Sequence, residues 1–115
     1  MNTTRAVMRA YYDSLGSALQ LRTILDPDLV FEGPIAGRRV GAEGFIKGVS
    51  GFVETMQELH MLHQLTDGDL GATLYDADMP GGTVRFAEFF EIREGRIRSL
   101  RLLYDAGEYR ARGGR

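Results

Sequence analysis

The apolar and polar residues of this chain follow two different periods, which divide it into a helical first half and a strand-rich second half. Apolar side chains recur at the spacing of an amphipathic helix over Thr3–Leu15. A short second helix is predicted over Ala18–Leu25, because the proline that follows disfavours a helical residue before it. A strand over Asp28–Glu32 comes next, and a further apolar stripe predicts a third helix from Gly41.

From Glu58 onward the period becomes two, which is typical of strands. Short turns rich in glycine, proline and aspartate predict that these strands form consecutive antiparallel hairpins. Helices followed by strands indicate an α+β fold in which the helices cover one face of a curved sheet. This order excludes a parallel nucleotide-binding sheet, in which strands and helices alternate. The predicted strands are Glu58–Thr66, Leu70–Asp78, Thr83–Arg93 and Arg96–Tyr104.

Three glycines, Gly44, Gly48 and Gly51, interrupt the third helix and lower its intrinsic stability. Glycine in a helix also permits close approach of a neighbouring backbone. We therefore expect this helix to pack tightly against the rest of the molecule.

A chain of 115 residues suits one domain, since two domains would leave neither half enough interior. We expect a single domain over residues 1–115, with an ordered core over about 4–109 and a flexible tail over 110–115. The net charge of −2 argues against nucleic-acid binding, and the absence of cysteine excludes disulfides, thiolate metal sites and a cysteine nucleophile. No segment resembles a signal peptide or a membrane span, so we expect a cytoplasmic protein with no membrane partner.

The sequence contains no recognisable cofactor or metal motif. The glycines between Gly33 and Gly44 form neither a dinucleotide-binding fingerprint nor a P-loop, so we expect no cofactor. His60 and His63 are the two histidines; three residues apart on a strand they point to opposite faces, which argues against a metal site. One of them is expected to face inward, either as a core histidine or as an acid/base in a pocket.

Glu88 stands in the centre of an apolar strand face. The period of two in Thr83–Arg93 places it between Phe86 and Phe90. Burial raises the pKa of a carboxyl unless a cation is near, and a raised pKa suits a general acid or base near neutral pH. The structural alternatives are an ion pair with Arg101 on the next strand, or a sheet edge at which Glu88 reaches water.

Three further residues are candidates for the same chemistry. Tyr11 and Tyr12 lie on the buried side of the first helix, either as core tyrosines or as phenols that donate hydrogen bonds to a substrate carbonyl or enolate. Glu32 closes the first strand, where its side chain is either solvated or part of a cavity wall. We therefore predict Glu88, Tyr11, Tyr12 and Glu32 as catalytic residues.

The order of elements and three segments resemble the SnoaL-like branch of the nuclear transport factor 2-like superfamily, over about Thr4–Tyr109. The resemblance implies a cone-shaped, curved antiparallel sheet wrapped around N-terminal helices, with an apolar pocket between them and commonly a dimer. The superfamily includes ketosteroid isomerases, polyketide cyclases, epoxide hydrolases, dehydratases and pocket proteins without known chemistry. The segments are Asp28–Pro34 (DLVFEGP), Arg85–Ile97 (RFAEFFEIREGRI) and Leu100–Asp105 (LRLLYD).

By this resemblance, Glu88 falls where ketosteroid isomerases keep a protonated aspartic acid, and Tyr11 falls on their hydroxyl donor. Their general base corresponds to Gly33, which has no side chain to take a proton. The aspartate on the last strand of the epoxide hydrolases corresponds to Leu102. The resemblance therefore implies the fold and two hydrogen-bond donors. It implies neither the complete active site of a ketosteroid isomerase nor that of an epoxide hydrolase.

The candidate residues and the family resemblance together predict an enzyme with a small-molecule pocket. It would be of isomerase, cyclase or dehydratase type and would move a proton at a carbon next to the carbonyl group of an apolar compound. The alternative is a non-catalytic ligand-binding or dimerisation module of the same fold. Apolar residues on both faces of the sheet, with Phe89 opposite Glu88, predict a homodimer formed through the sheet. The expected ligand contacts are Phe31, Phe52, His60, Phe86, Phe90 and Arg101.

Overall fold

The computed structural model describes residues 3–115, and its helices and strands confirm the α+β class. Within this range no helix is long and apolar enough to cross a membrane. In chain order the elements are α1 Thr3–Asp13, α2 Ala18–Ile24, β1 Leu25–Gly33, β2 Gly37–Val40, α3 Ala42–Thr55, β3 Glu58–Asp67, β4 Leu70–Met79, β5 Gly82–Arg93, β6 Arg96–Leu103 and α4 Ala106–Ala111.

The strands form one curved, unclosed sheet in the order β2-β1-β6-β5-β4-β3. β3 to β6 are joined as consecutive antiparallel hairpins, as the sequence predicts. β1 pairs with β2 antiparallel but with β6 in parallel, which corrects the expectation of a wholly antiparallel sheet. A parallel pair needs a long connection, and here most of the chain lies between the two strands.

The turn between β5 and β6 sets the register in which these two central strands begin to pair. Glu94 and Gly95 have φ angles of 52° and 78°. Two consecutive residues with positive φ are the pattern of a type I′ turn, whose twist matches that of paired strands. Continued without change, this register would place Arg101 opposite Glu88. A shift of one residue between Glu91 and Ile92 places Leu102 there instead.

Two short elements were not predicted from the sequence. β2 reads Gly-Arg-Arg-Val and is exposed along its whole length, so it shows no apolar alternation. α4 begins after Asp105, whose side chain accepts a hydrogen bond of 2.8 Å from the backbone N–H of Glu108. α4 ends at Ala111, two residues beyond the predicted ordered core.

The three N-terminal helices pack on one face of the sheet, here called the inner face. α1 approaches β4 so closely that a side chain at Gly71 would overlap the sulfur of Met8. A second apolar cluster lies toward α4, around Phe86 and Tyr109. The most deeply buried residues of the first cluster are Met8, Leu21, Leu25, Leu29, Ile97 and Leu100.

Candidate functional site

A cavity of about 470 Å³ opens between α3 and the inner face of the sheet. This volume suits a small organic ligand. Aromatic side chains from α1, α3, α4 and the strands β1, β4 and β5 form much of its wall, and Glu88 contributes a carboxyl. The lining residues used below are Tyr11, Phe31, Gly33, Arg39, Gly44, Gly48, Phe52, Tyr75, Phe86, Glu88, Leu102 and Arg115.

The glycines of α3 create part of this space. Gly44 and Gly48 line the cavity, and a Cβ built on either of them would have no neighbour within 4 Å. The expectation that these two glycines allow tight packing is therefore wrong. Gly51 differs, because a Cβ there would come within 3.0 Å of the backbone oxygen of Arg115.

Glu88 is the polar centre of the site. Its side chain points to the inner face and only 2% of the residue is exposed. The Tyr12 hydroxyl donates a hydrogen bond of 2.7 Å to Oε1, and the Tyr11 hydroxyl donates a longer one of 3.4 Å to Oε2. Tyr75 of β4 also donates a hydrogen bond to the carboxyl, and of the bonds from Tyr11 and Tyr12 the second is the shorter. Both tyrosines come from α1, so one helix supplies both of these donors.

Surrounding groups hold the two tyrosines in place. The Tyr12 hydroxyl also forms a hydrogen bond of 2.6 Å with the buried hydroxyl of Thr73. Phe90 packs edge-to-face against both rings, with centroid distances of 5.5 Å to Tyr11 and 6.1 Å to Tyr12. Phe90 thus packs against both tyrosine rings. It was predicted as a ligand contact, but it does not line the cavity.

Burial controls the acidity of this cluster. Desolvation raises the pKa of Glu88 to about 7, although hydrogen bonding from Tyr12, Tyr75 and Tyr11 favours the charged form and offsets part of the effect. Desolvation and the nearby carboxylate raise the pKa of Tyr11 and Tyr75 well above the usual value for a phenol. Near neutral pH the tyrosines therefore remain donors, while Glu88 is divided between its neutral and charged forms.

Arg101 and Glu32 lie on the opposite, outer face of the sheet. Arg101 Nε is 3.6 Å from Glu32 Oε2, and both side chains are largely exposed. The register explains this, since Arg101 pairs with Phe89 and not with Glu88. The proposed Glu88–Arg101 ion pair is therefore absent, and the structure does not bring Glu32 or Arg101 to the cavity.

The histidines also lie away from the cavity. Both are exposed, which overturns the expectation that one faces inward. A register shift between Met61 and His63 interrupts the period of two in β3 and places both rings on the outer face. His60 Nε2 lies 2.8 Å from Asp78 Oδ2, and this bond raises the pKa of the imidazole. The structure therefore does not bring His60, a predicted ligand contact, to the cavity.

Among residues 3–115, one group of three side chains has the composition and proximity to hold a metal ion. Ligand atoms of Glu58, His60 and Asp78 lie within 4.8 Å of one another. The group is on the exposed outer face, and exposed acidic clusters are common without an ion. The candidate chemistry of the cavity does not involve it.

Of the predicted site residues, the structure brings Glu88, Tyr11, Phe31, Phe52 and Phe86 to the cavity wall, with Tyr12 directly behind. Sequence reasoning missed several lining residues, of which Tyr75 and Arg39 are the most relevant to the chemistry. Tyr75 reaches the cavity from β4, whose inward-facing residues the period of two already separates. Arg39 reaches it from β2, and no sequence signal identified that strand.

The comparisons with known proteins agree with this architecture. The sequence profile of a family described as "SnoaL-like domain" matches residues 5–100. A search of curated proteins finds no match. Among solved structures, a candidate ketosteroid isomerase from Kribbella flavida is 21% identical, with a TM-score of 0.79 over 90% of this chain and 78% of that chain. A candidate SnoaL-like polyketide cyclase from Jannaschia sp. is 14% identical, with a TM-score of 0.81 over 96% and 90% of the two chains.

A de novo designed protein with a curved β-sheet is equally similar in shape. It is 22% identical, with a TM-score of 0.83 over 96% of this chain and 93% of that chain. At these identities the likeness shows the fold alone. A shared fold does not decide an activity, which has to be argued from the site.

Proposed function

This chain belongs to the SnoaL-like domain family, and from that premise we propose that it is a cofactor-independent enzyme in which Glu88 moves a proton beside the carbonyl group of an apolar substrate. The observation that carries the proposal is a buried carboxyl with a pKa of about 7, set in the wall of an aromatic cavity among tyrosine hydroxyls. A group with this pKa both accepts and returns a proton at neutral pH.

Glu88 is the proposed base because, among residues 3–115, no other lining residue has a carboxyl side chain. Among the lining residues, the remaining ionisable side chains are tyrosines and arginines. Gly33, at the position that the resemblance assigns to a general base, lies in the wall near Leu102 and contributes no acid or base. A single carboxyl that first removes and then returns a proton is sufficient for an isomerisation.

In the proposed reaction, ionised Glu88 removes a proton from the carbon next to the substrate carbonyl. The electron pair of that C–H bond becomes the C=C bond of an enolate, and the carbonyl oxygen takes the negative charge. The Tyr11 hydroxyl, whose bond to Glu88 is long, donates a hydrogen bond to this oxygen. Neutral Glu88 then returns the proton to another carbon of the conjugated system, which yields the isomer and restores the carboxylate.

Tyr12 has a different proposed role. It does not line the cavity, and its short bond to Oε1 holds the carboxyl in one orientation. Tyr12 is thus a positioning residue that acts through Glu88.

A ligand-binding module without catalysis is the second candidate. The observation that favours it is the completeness of the polar cluster: among the described residues, no buried side-chain nitrogen or oxygen lacks a hydrogen-bond partner. A fully satisfied cluster serves equally as a rigid end to a binding cavity. The two candidates differ in whether Glu88 exchanges a proton with a bound ketone.

The first prediction is tested by deuterium uptake. Bicyclic β,γ-unsaturated ketones are incubated with the protein in D2O, and NMR follows deuterium at the carbon beside the carbonyl and movement of the double bond. Glu88→Gln is expected to lower the rate at least ~100-fold, because it removes the proton-transfer group. In the wild type kcat/KM is expected to rise with pH through about 7, since the ionised form of Glu88 is the base.

Glu91→Gln is the matched control, because Glu91 lies on the same strand but is exposed. Its rate should equal that of the wild type. If Glu88→Gln retains full activity while folded, Glu88 is structural and the proton-transfer proposal is wrong. Ketones that bind without exchange in any variant would support the binding module instead.

A further inference from the structure

Arg39 brings a positive charge to a cavity that is otherwise mostly aromatic. It lies on β2 and pairs with Phe31 in the β1–β2 register, and both residues line the cavity. Its neighbour Arg38 pairs with Glu32 and faces the outer side, because successive residues of a strand point to opposite faces. One short strand therefore presents one arginine to the cavity and the next to the outside.

The guanidinium of Arg39 has no acidic partner among residues 3–115. Its Nε donates a hydrogen bond of 3.0 Å to the backbone oxygen of Ala36, and no carboxylate lies within salt-bridge distance. Arg115, the other lining arginine, differs because its Nη1 is 3.9 Å from Glu54 Oε2. The charge of Arg39 is thus uncompensated by the protein at the edge of the cavity.

From this arrangement we infer that the cavity takes an amphipathic anion, whose carboxylate or sulfonate group binds Arg39 and whose apolar body fills the space toward Glu88. The inference rests on the proposed function, because it names the class of substrate that the same cavity accepts. An arginine matches a planar oxyanion with two parallel hydrogen bonds, and the Nη groups of Arg39 are available for them.

The sheet sets the distance between the two polar ends of such a ligand. Glu88 is on β5 and Arg39 on β2, with β6 and β1 between them. Arg39 is in register with Phe90, so three strand spacings of about 4.8 Å and an offset of two residues along β5 separate the two backbones by roughly 16 Å. After both side chains extend into the cavity, the space between them suits a body of about two fused rings. The ligand class is therefore a keto acid or a related anion with a bicyclic apolar core.

Two fluorescent dyes with the same aromatic skeleton test the inference. Anilinonaphthalene sulfonate carries an anionic group, and phenylnaphthylamine lacks it but is otherwise alike. Fluorescence titration gives the Kd of each dye for the wild type, Arg39→Gln and Arg38→Gln. We expect the wild type to bind the sulfonate up to about fivefold more tightly than the neutral dye, since Arg39 is exposed and a hydrogen-bonded ion pair at an exposed site has an effect of that order.

Arg39→Gln should remove this preference without changing the Kd of phenylnaphthylamine. Arg38→Gln should change the Kd of neither dye, because the charge that it removes lies on the outer face and not in the cavity. Circular dichroism checks that every variant is folded, since the sulfonate dye also binds partly unfolded chains.

The outcomes separate the inference from the function on which it rests. The proposed anion site is wrong if the wild type binds both dyes equally, or if Arg38→Gln weakens binding of the sulfonate dye as much as Arg39→Gln does. Either result still supports an apolar ligand-binding cavity. If neither dye binds, both the anion site and the ligand-binding cavity are wrong. The titration does not involve Glu88, so a loss of proton transfer in Glu88→Gln leaves the anion preference unaffected.

Discussion

At the scale of single residues, Glu88 is expected to make the stability of the protein depend on pH. Its pKa is near 4.5 in the unfolded chain and about 7 in the folded protein. Between these values the unfolded chain loses the proton while the folded protein keeps it, so the free energy of unfolding falls as pH rises. Below pH 4.5 the carboxyl is neutral in both states, so the pKa difference does not change the free energy of unfolding. Above pH 7 it is ionised in both states, and the free energy of unfolding is lower by a total on the order of 3 kcal/mol.

Glu88→Gln should abolish this component. Thermal unfolding from pH 4 to pH 8, a range of about four units chosen to span both values, is compared between wild type and variant. The variant is expected to gain stability relative to the wild type as pH rises. His60 also titrates in this range, but it lies on the outer face and is the same in both proteins, so it cancels from the difference. A difference that does not vary with pH would mean that burial does not raise the pKa of Glu88.

At the scale of elements, the glycines of α3 that line the cavity lower the stability of the helix and leave space for the cavity. Gly48 has open space where a Cβ would stand, and it faces the cavity. Alanine is more favourable than glycine inside a helix by about 1 kcal/mol. We expect Gly48→Ala to raise the melting temperature by a few degrees, as measured by calorimetry.

A larger side chain at the same position should close the cavity. Gly48→Leu is expected to keep the protein folded and to abolish binding of phenylnaphthylamine, because the leucine occupies the space that the dye needs. Lys47→Leu adds the same side chain at the exposed neighbouring position and should leave the dye affinity unchanged. Retained binding in Gly48→Leu would place the dye outside the cavity.

At the scale of the whole molecule, the outer face of the sheet carries an exposed apolar patch. Leu65, Ala72 and Phe89 follow one another across three strands. Phe89 is 48% exposed, and Leu103, diagonal to it on β6 and paired with Ala87, is 58% exposed. Exposed apolar surface of this kind often marks an interface. We propose that two copies associate through this patch in a symmetric dimer.

Phe89→Glu should weaken that dimer, because it places a charge in the middle of the apolar contact. Analytical ultracentrifugation at micromolar concentration is expected to give twice 12.8 kDa for the wild type and a lower average mass for the variant. Leu19→Glu provides the control, since Leu19 is exposed on α2, away from the sheet. A wild-type mass of 12.8 kDa at this concentration would contradict the dimer.

The sequence by itself determined which residues share a face. The period of two in β5 separates Glu88 from Phe89, and the structure places them on opposite sides of the sheet. The helical spacing in α1 likewise identified Tyr11 as buried. These predictions succeeded because the direction of a side chain within a regular element depends on local backbone geometry alone.

Only the tertiary structure decided which face encloses the cavity and which residues reach it. The alternation in β1 separates Phe31 from Glu32, but the packing of α3 is what makes the side with Phe31 the inner one. The irregularity in β3 places His63 on the same outer face as His60, and it depends on pairing with β4 rather than on the sequence of β3. Arg39 could not be identified in advance, because β2 exists only through its hydrogen bonds to β1. Contacts between elements distant in the chain are set by how the whole sheet curves and packs, and local periodicity carries no information about them.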